Sequence, residues 1–140
     1  MNYYLAKTDP LTYSMDDLKK DKQTIWDGIH SNQAMITLNK MEVEDIVLIY
    51  HSLVGGKEGP GIVGLAKVSI GPRLNIKDPR KSIVVDLTYI RHFRSKILLK
   101  DIKDSNLFND WALIKQSRLS TMPVPIDFIK WLNNVYKLEI

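Results

Sequence analysis

Three segments of the 140-residue chain concentrate side chains suited to gripping a flat, polar ligand. The first is Trp26-Asp27-Gly28-Ile29-His30-Ser31-Asn32-Gln33-Ala34. It sets a large ring, an acid, a glycine and several amides just ahead of a helical pattern, whose first N–H groups lack intrahelical partners. Stacking one base on an aromatic face contributes about 1–3 kcal/mol, which suits Trp26 to be a platform. Trp26 can equally plug the core while Asp27 caps the helix, and the residue types leave both readings open. The second segment, Tyr50-His51-Ser52, ends an apolar run abruptly in polar groups, which is either turn chemistry or pocket lining. The third, Lys115-Gln116-Ser117-Arg118-Leu119-Ser120-Thr121-Met122-Pro123-Val124, is dense in hydrogen-bonding groups between apolar runs. Arg118 suits a carboxylate such as Asp27, or a phosphate.

Conventional catalytic patterns are missing. His30, His51 and His92 lack the paired spacing of a metal-binding helix, and neither a P-loop nor a dinucleotide glycine pattern occurs. Ser52 beside His51 makes no triad by adjacency, because base and nucleophile must meet in space. With no cysteine, disulfides and thiolate metal sites are excluded. The reading is no metal and no cofactor.

Charge adds a direction. The net charge is +4, but residues 1–70 hold seven Lys/Arg against nine Asp/Glu, and residues 71–140 thirteen against seven. Arg73, Lys77, Arg80, Lys81, Arg91, Arg94, Lys96, Lys100 and Lys103 crowd one stretch, diluted by Asp78, Asp86 and Asp101. A one-sided basic surface favours a polyanion through release of condensed counterions. A solvated face that aids solubility has the same composition.

These groups need a frame. Apolar residues at 44% and charged residues at 26% give ordinary globular composition, and the length suits one domain over 1–140. No apolar run nears the roughly 20 residues that cross a bilayer, and the N-terminus lacks a signal pattern. The expectation is an intracellular protein, cytoplasmic or, in a eukaryote, nuclear, without membrane contact; the sequence leaves the oligomeric state open, a monomer being favoured. Residues 2–6 read as a strand. A helix starts at Ser14, which can cap Asp17 and be capped in return, with Tyr13 and Leu18 as a hydrophobic staple. Ala34, Met35, Leu38 and Met41 share a face of a helix over 31–41. Ile46–Tyr50 reads as a buried strand, and Gly55-Gly56 with Gly59-Pro60-Gly61 as a mobile loop. In a strand over 62–70, alternation points Ala66, Val68 and Ile70 inward and Lys67 and Ser69 outward. Pro72 and Pro79 bracket a basic connection before a strand over 83–90. Pro125 suits a first helical position, and Phe128, Ile129, Trp131, Leu132, Val135 and Tyr136 form an apolar stripe. Trp111 and Trp131 read as core. Strands and helices without regular alternation predict an α+β domain around a small curled sheet.

Taken in order, these segments resemble the EVE domain family. The matching features are Tyr3-Tyr4-Leu5-Ala6-Lys7-Thr8-Asp9-Pro10, Trp26-Asp27-Gly28-Ile29, Gln33-Ala34, Tyr50-His51-Ser52, Pro60-Gly61-Ile62-Val63-Gly64-Leu65-Ala66, Gln116-Ser117-Arg118-Leu119-Ser120 and Pro123-Val124. The resemblance implies a PUA-like pseudobarrel, a bent mixed β-sheet with peripheral helices, similar to YTH and ASCH domains. It also implies recognition of a modified base in DNA or RNA. By that analogy Trp26 walls the pocket, and Asp27, His51 and Ser52 contact the base edge. Arg118 and Ser120 then lie near the mouth or support the floor, and Lys7, Gly28, Ile29, His30, Gln33, Tyr50 and Gly61 complete the ligand-binding set. Arg73, Lys77, Arg80, Lys81, Arg91, Arg94 and Lys96 would track the nucleic-acid backbone. The chain departs from the family pattern where Ser31-Asn32-Gln33-Ala34-Met35-Ile36 replaces Asn-Tyr-Gln-Ala-Arg-Asn. His30 stands for the usual Arg and Asp9 for the usual Glu, and most of an insert between the strands around Val68 and Ile83 is absent.

The leading expectation is a non-catalytic module that holds one everted, methylated or hydroxymethylated base. Two alternatives remain. An ASCH-like amidohydrolase acting on an acylated nucleobase would use Lys7, Asp9 or His51 as acid or base. A protein-interaction module would use the Gly55–Gly61 loop as its contact.

Overall fold

The computed structural model describes residues 1–52 and 58–140. Gly55 and Gly56, part of the proposed interaction loop, lie outside the described residues. Among the described residues the chain forms six strands and five helices. In order they are β1 (Tyr3–Thr8), α1 (Met15–Asp21), β2 (Gln23–Trp26), α2 (Asn32–Lys40), β3 (Ile46–His51), β4 (Gly61–Leu74), β5 (Ile83–Leu98), α3 (Leu99–Asp104), α4 (Ala112–Lys115), β6 (Thr121–Pro123) and α5 (Ile126–Tyr136).

The strands make one mixed sheet in the order β2-β5-β4-β3-β1-β6. β1 runs parallel to β3, Lys7 beside Tyr50 and Thr8 beside His51. The pairs β1–β6, β2–β5, β3–β4 and β4–β5 are antiparallel. This is the expected α+β frame, with helices at the periphery. Its ladder leaves β2 and β6 as edges and does not close into a barrel. The long β4–β5 pair carries several register shifts, and each such bulge bends the strand and increases its twist.

Bulges also explain one misread residue. Strict alternation put Ile70 inward, yet it is 46% exposed. The shift between Val68 and Ile70 inserts an extra residue, and a one-residue slip turns a side chain to the other face.

Local signals place the elements. Ser14 Oγ accepts the Asp17 N–H at 3.1 Å and Asp17 accepts the Ser14 N–H at 2.9 Å, the reciprocal capping box that starts α1. Ser31, rather than Asp27, caps α2 by accepting the Ala34 N–H. Pro125 stands at the N-cap of α5, one position before the expected one. From α5, Phe128, Ile129 and Leu132 are buried, while Val135 is half exposed. Phe128 packs on Phe108, Trp111 and Trp131 at centroid distances of 5.0, 4.6 and 5.6 Å. The Trp111 indole N–H donates to the Pro123 carbonyl at 2.9 Å. That pairing satisfies the polar end of an otherwise apolar ring.

Candidate functional site

The first turn of chain after β2 builds one wall of a cavity of about 530 Å³. Trp26 is the last residue of β2, held on Val85 of β5. Asp27 and Gly28 follow, with Gly28 at φ +79°. A Cβ there would meet nothing within 4 Å, so it is the left-handed backbone that calls for glycine, not lack of space. Ile29 then turns back into the core. Opposite lie Lys7, Thr8 and Asp9 from the end of β1, Thr12 and Tyr13 before α1, and Ser120 before β6. The backbone N–H of Lys7 donates to the Ser120 carbonyl at 2.8 Å, pinning the third segment to the first strand.

Trp26 is only 7% exposed. It belongs to the core and lines the cavity at once, and the Tyr13 ring meets it edge-on at 6.1 Å. Tyr13 is itself fixed by its hydroxyl, which donates to Asp21 at 2.8 Å. The polar complement is mixed in sign. Asp9 and Asp27 present acceptors and Lys7 a cation. Lys7 Nζ donates to the Ser117 carbonyl at 3.0 Å and sits 5.3 Å from the centroid of the Tyr50 ring, a cation–π distance. Burial lowers the Lys7 ammonium below the ordinary lysine range and pushes the buried Tyr50 phenol up to about 12.

A second, more open cavity of about 480 Å³ is lined by Ser31, Gln33, Lys115, Gln116, Ser117, Arg118 and Leu119. Two chain segments link it to the first: Ile29 and Ser120 line one cavity, Ser31 and Leu119 the other. Gln33 and Arg118 thus stand beside the Trp26 cavity, not in its wall.

His51, Ser52 and Gly61 are placed differently. His51 Nε2 accepts the Met15 N–H at 3.1 Å, turning the ring toward the start of α1. Burial, then the charge of Lys96, lower its pKa below the ordinary histidine value. Ser52 folds onto β1, its N–H and hydroxyl both donating to the Thr8 carbonyl. Gly61 is buried where β4 crosses close to the Ile97 backbone. None of the three lines the Trp26 cavity.

The basic residues divide in two. Arg73 donates to the buried Asp86 at 2.6 Å. Arg91 donates to the Leu138 carbonyl, and Lys96 to the Gly59 carbonyl at 2.9 Å. Lys77, Arg80, Lys81 and Arg94 are exposed. His30 belongs to the loop after Trp26 and is tied to the connection between β4 and β5: its Nε2 is 2.6 Å from Asp78 and its Nδ1 2.5 Å from Arg80. Among the described residues no group of three or more histidines and carboxylates is arranged to hold a metal ion. No helix among them is long and apolar enough to cross a membrane.

Sequence reasoning found Trp26, Asp27, Gly28, Ile29, Lys7 and Ser120 but missed Thr8, Thr12, Tyr13, Thr24 and Ile25 of the wall. Tyr13 had a visible signal. It precedes the Ser14 N-cap as a staple residue, and its ring meets Trp26 at the end of the following strand, β2.

An aromatic-walled cavity at the end of a mixed sheet, flanked by a donor-rich cleft, marks a small α+β domain. The chain belongs to the EVE domain family, whose sequence profile matches residues 2–135. Mouse thymocyte nuclear protein 1 is 30% identical over 166 aligned residues, which cover 91% of this chain and 72% of the mouse protein. A hypothetical protein from Leishmania major superposes with a TM-score of 0.84 at 30% identity, covering 98% of this chain and 97% of its own. Human THYN1, solved in complex with 5-methylcytosine-containing DNA, superposes with a TM-score of 0.80 over 94% of this chain and 97% of its own. At 23% identity that match establishes a common fold.

Proposed function

We propose that this protein binds nucleic acid and holds one everted base, a cytosine carrying a methyl-sized group, in the cavity walled by Trp26. The observation that carries the reading is the convergence of Trp26, Tyr13, Asp9, Asp27, Lys7 and Ser120 on one cavity of about 530 Å³. Aromatic and aliphatic walls with a few fixed polar groups suit a planar heterocycle. The acids accept from an exocyclic amine, and Lys7 donates to a ring carbonyl. The 5-methylcytosine DNA bound by the human relative supports the ligand class.

Affinity comes mostly from phosphates, met by the exposed Lys77, Arg80, Lys81 and Arg94. Eversion costs a few kcal/mol and less for a base already unpaired, so single-stranded or mismatched targets bind best. A methyl group adds apolar contact against Ile29 or Trp26, which gives moderate discrimination. Binding occurs without turnover. The test is titration of a fluorescent single-stranded oligonucleotide bearing one 5-methylcytosine, against its unmodified twin. Tighter binding of the methylated strand is expected; equal affinity for both sinks the reading.

A further inference from the structure

The loop that frames the Trp26 cavity has no helical or strand ladder of its own between Trp26 and Asn32. Something else must hold it. His30 sits in its middle and is gripped from both ring nitrogens by residues nearly fifty positions away. Arg80 offers only donors, so Nδ1 accepts from its guanidinium. Nε2 then carries the hydrogen and donates to Asp78. The acceptor is fixed in turn. Asp78 Oδ2 also accepts the Ser82 hydroxyl at 2.6 Å, and Oδ1 accepts the Arg80 backbone N–H at 2.8 Å. Those three hydrogen bonds, that from Ser82 foremost, hold the Asp78 carboxyl far below the usual carboxylate range, so it remains an acceptor at any physiological pH.

The arm that carries these groups is closed on itself. Asn75 N–H donates to the Ser82 carbonyl at 2.8 Å, Asp78 N–H to Asn75, and Lys81 N–H to Asp78. Ser82 is fully buried. A short closed arm anchored in the β4–β5 pair therefore reaches across and seizes one residue of an otherwise unladdered loop.

We propose that the Asp78–His30–Arg80 bridge preorganises the rim of the Trp26 cavity, making Asp78, Ser82 and Arg80 positioning residues for ligand discrimination. The proposal rests on the base-binding reading given above and goes beyond it. Arg80 takes a double part, since one guanidinium nitrogen holds His30 while the residue as a whole is exposed and can meet a phosphate. Phosphate contact and rim order are then joined through a single side chain.

Two measurements separate the bridge from the base-binding reading. The first needs no ligand: amide hydrogen exchange of residues 27–31 in the wild type, Asp78→Asn, His30→Ala and His30→Gln. Opening of the rim in Asp78→Asn and His30→Ala should speed those amides roughly tenfold, while amides of β3 and β4 keep their protection. His30→Gln retains one donor and one acceptor and should restore much of the protection. The second is the ratio of affinities for methylated and unmodified single-stranded oligonucleotides. It should fall toward one in Asp78→Asn. Unchanged exchange in both Asp78→Asn and His30→Ala overturns the bridge, whatever the binding data show. Faster exchange with an unaltered affinity ratio overturns the positioning role. If the wild type binds neither oligonucleotide, the base-binding reading fails and the positioning role falls with it, while exchange still decides whether the bridge orders the loop. Should Asp78→Asn not fold, Ser82→Ala, which removes one of the donors to Asp78, gives the same readouts.

Discussion

Trp26→Ala is the sharpest perturbation of the cavity, and its outcome has two parts that must be separated. Trp26 is 7% exposed, so truncation to Ala leaves a hole where a large ring packed. Such replacements cost about 3–5 kcal/mol. For a domain of this size each kcal/mol lowers Tm by about 3–4 °C, so a fall of about 10–20 °C is expected. That loss follows even if Trp26 never touches a ligand. The ligand part is smaller: one stacked base at about 1–3 kcal/mol corresponds to roughly 5- to 150-fold in affinity. Binding should therefore be measured by fluorescence anisotropy of a labelled methylated oligonucleotide near 10–15 °C. That range lies well below the expected transition, and near-UV circular dichroism can confirm that the variant remains packed. Trp26→Phe supplies the control, since it keeps an aromatic face and leaves a smaller hole; it should retain much more affinity than the Ala variant. A folded Trp26→Ala protein that binds as tightly as the wild type would refute the stacking role and leave Trp26 as a core residue alone.

Three further outcomes test other parts of the reading. If Lys77, Arg80, Lys81 and Arg94 each neutralise one phosphate, log K against log salt should have a slope near −3 on single strands (about −0.7 per contact), and Arg94→Ala should lessen it by about 0.7; Arg73→Ala, whose guanidinium is committed to Asp86, should cost stability and leave the slope alone. His51 accepts a backbone N–H through Nε2 and has a lowered pKa, so below about pH 6.5 the unfolded chain binds the extra proton more readily than the native one. Stability should then fall as pH drops through that window, and His51→Gln should flatten the fall in thermal melts; an unchanged profile in the variant assigns it to other groups. Incubation with an acylated cytidine should release no free cytidine by chromatography, and a Lys7-dependent release would replace the binding reading with catalysis.

What could be read from the residues followed how locally each feature is determined. The Ser14–Asp17 capping box lies within four residues and appears as expected. The Trp26-Asp27-Gly28 turn was legible because a strand end, an acid and a glycine are local properties. Ile70 failed because alternation carries no information about where a bulge falls. Tyr50-His51-Ser52 looked like pocket lining because polar groups at a strand end serve turns and pockets alike. Only tertiary contacts, the Met15 N–H donating to His51 Nε2 and the Ser52 hydroxyl donating to the Thr8 carbonyl, show which way they face. The Asp78–His30 bridge was beyond reach altogether. It joins residues 48 apart, and Asp78 appears in the sequence only as a dilution of a basic run.

That acid changes how the basic stretch should be understood. Counted as charges, Arg73 to Lys103 forms a polyanion-binding tract. In the folded protein Arg73 and Lys96 hold the frame, Arg91 ties down the C-terminal segment, and Arg80 is divided between solvent and the cavity rim. Exposed cations alone bind any nucleic acid and favour no base. Discrimination requires a cavity whose walls stay in place when the ligand arrives, because a rim that must first be ordered takes back part of the contact energy. The resemblance to the family pattern implies an Arg at position 30 and a longer insert between the strands around Val68 and Ile83. In this chain the connection is short, position 30 is a histidine, and a closed arm grips that histidine directly. The closed arm of residues 75–82 is tied to the loop after Trp26 through His30, so ligand preference here should depend on residues 75–82 as much as on Trp26 itself.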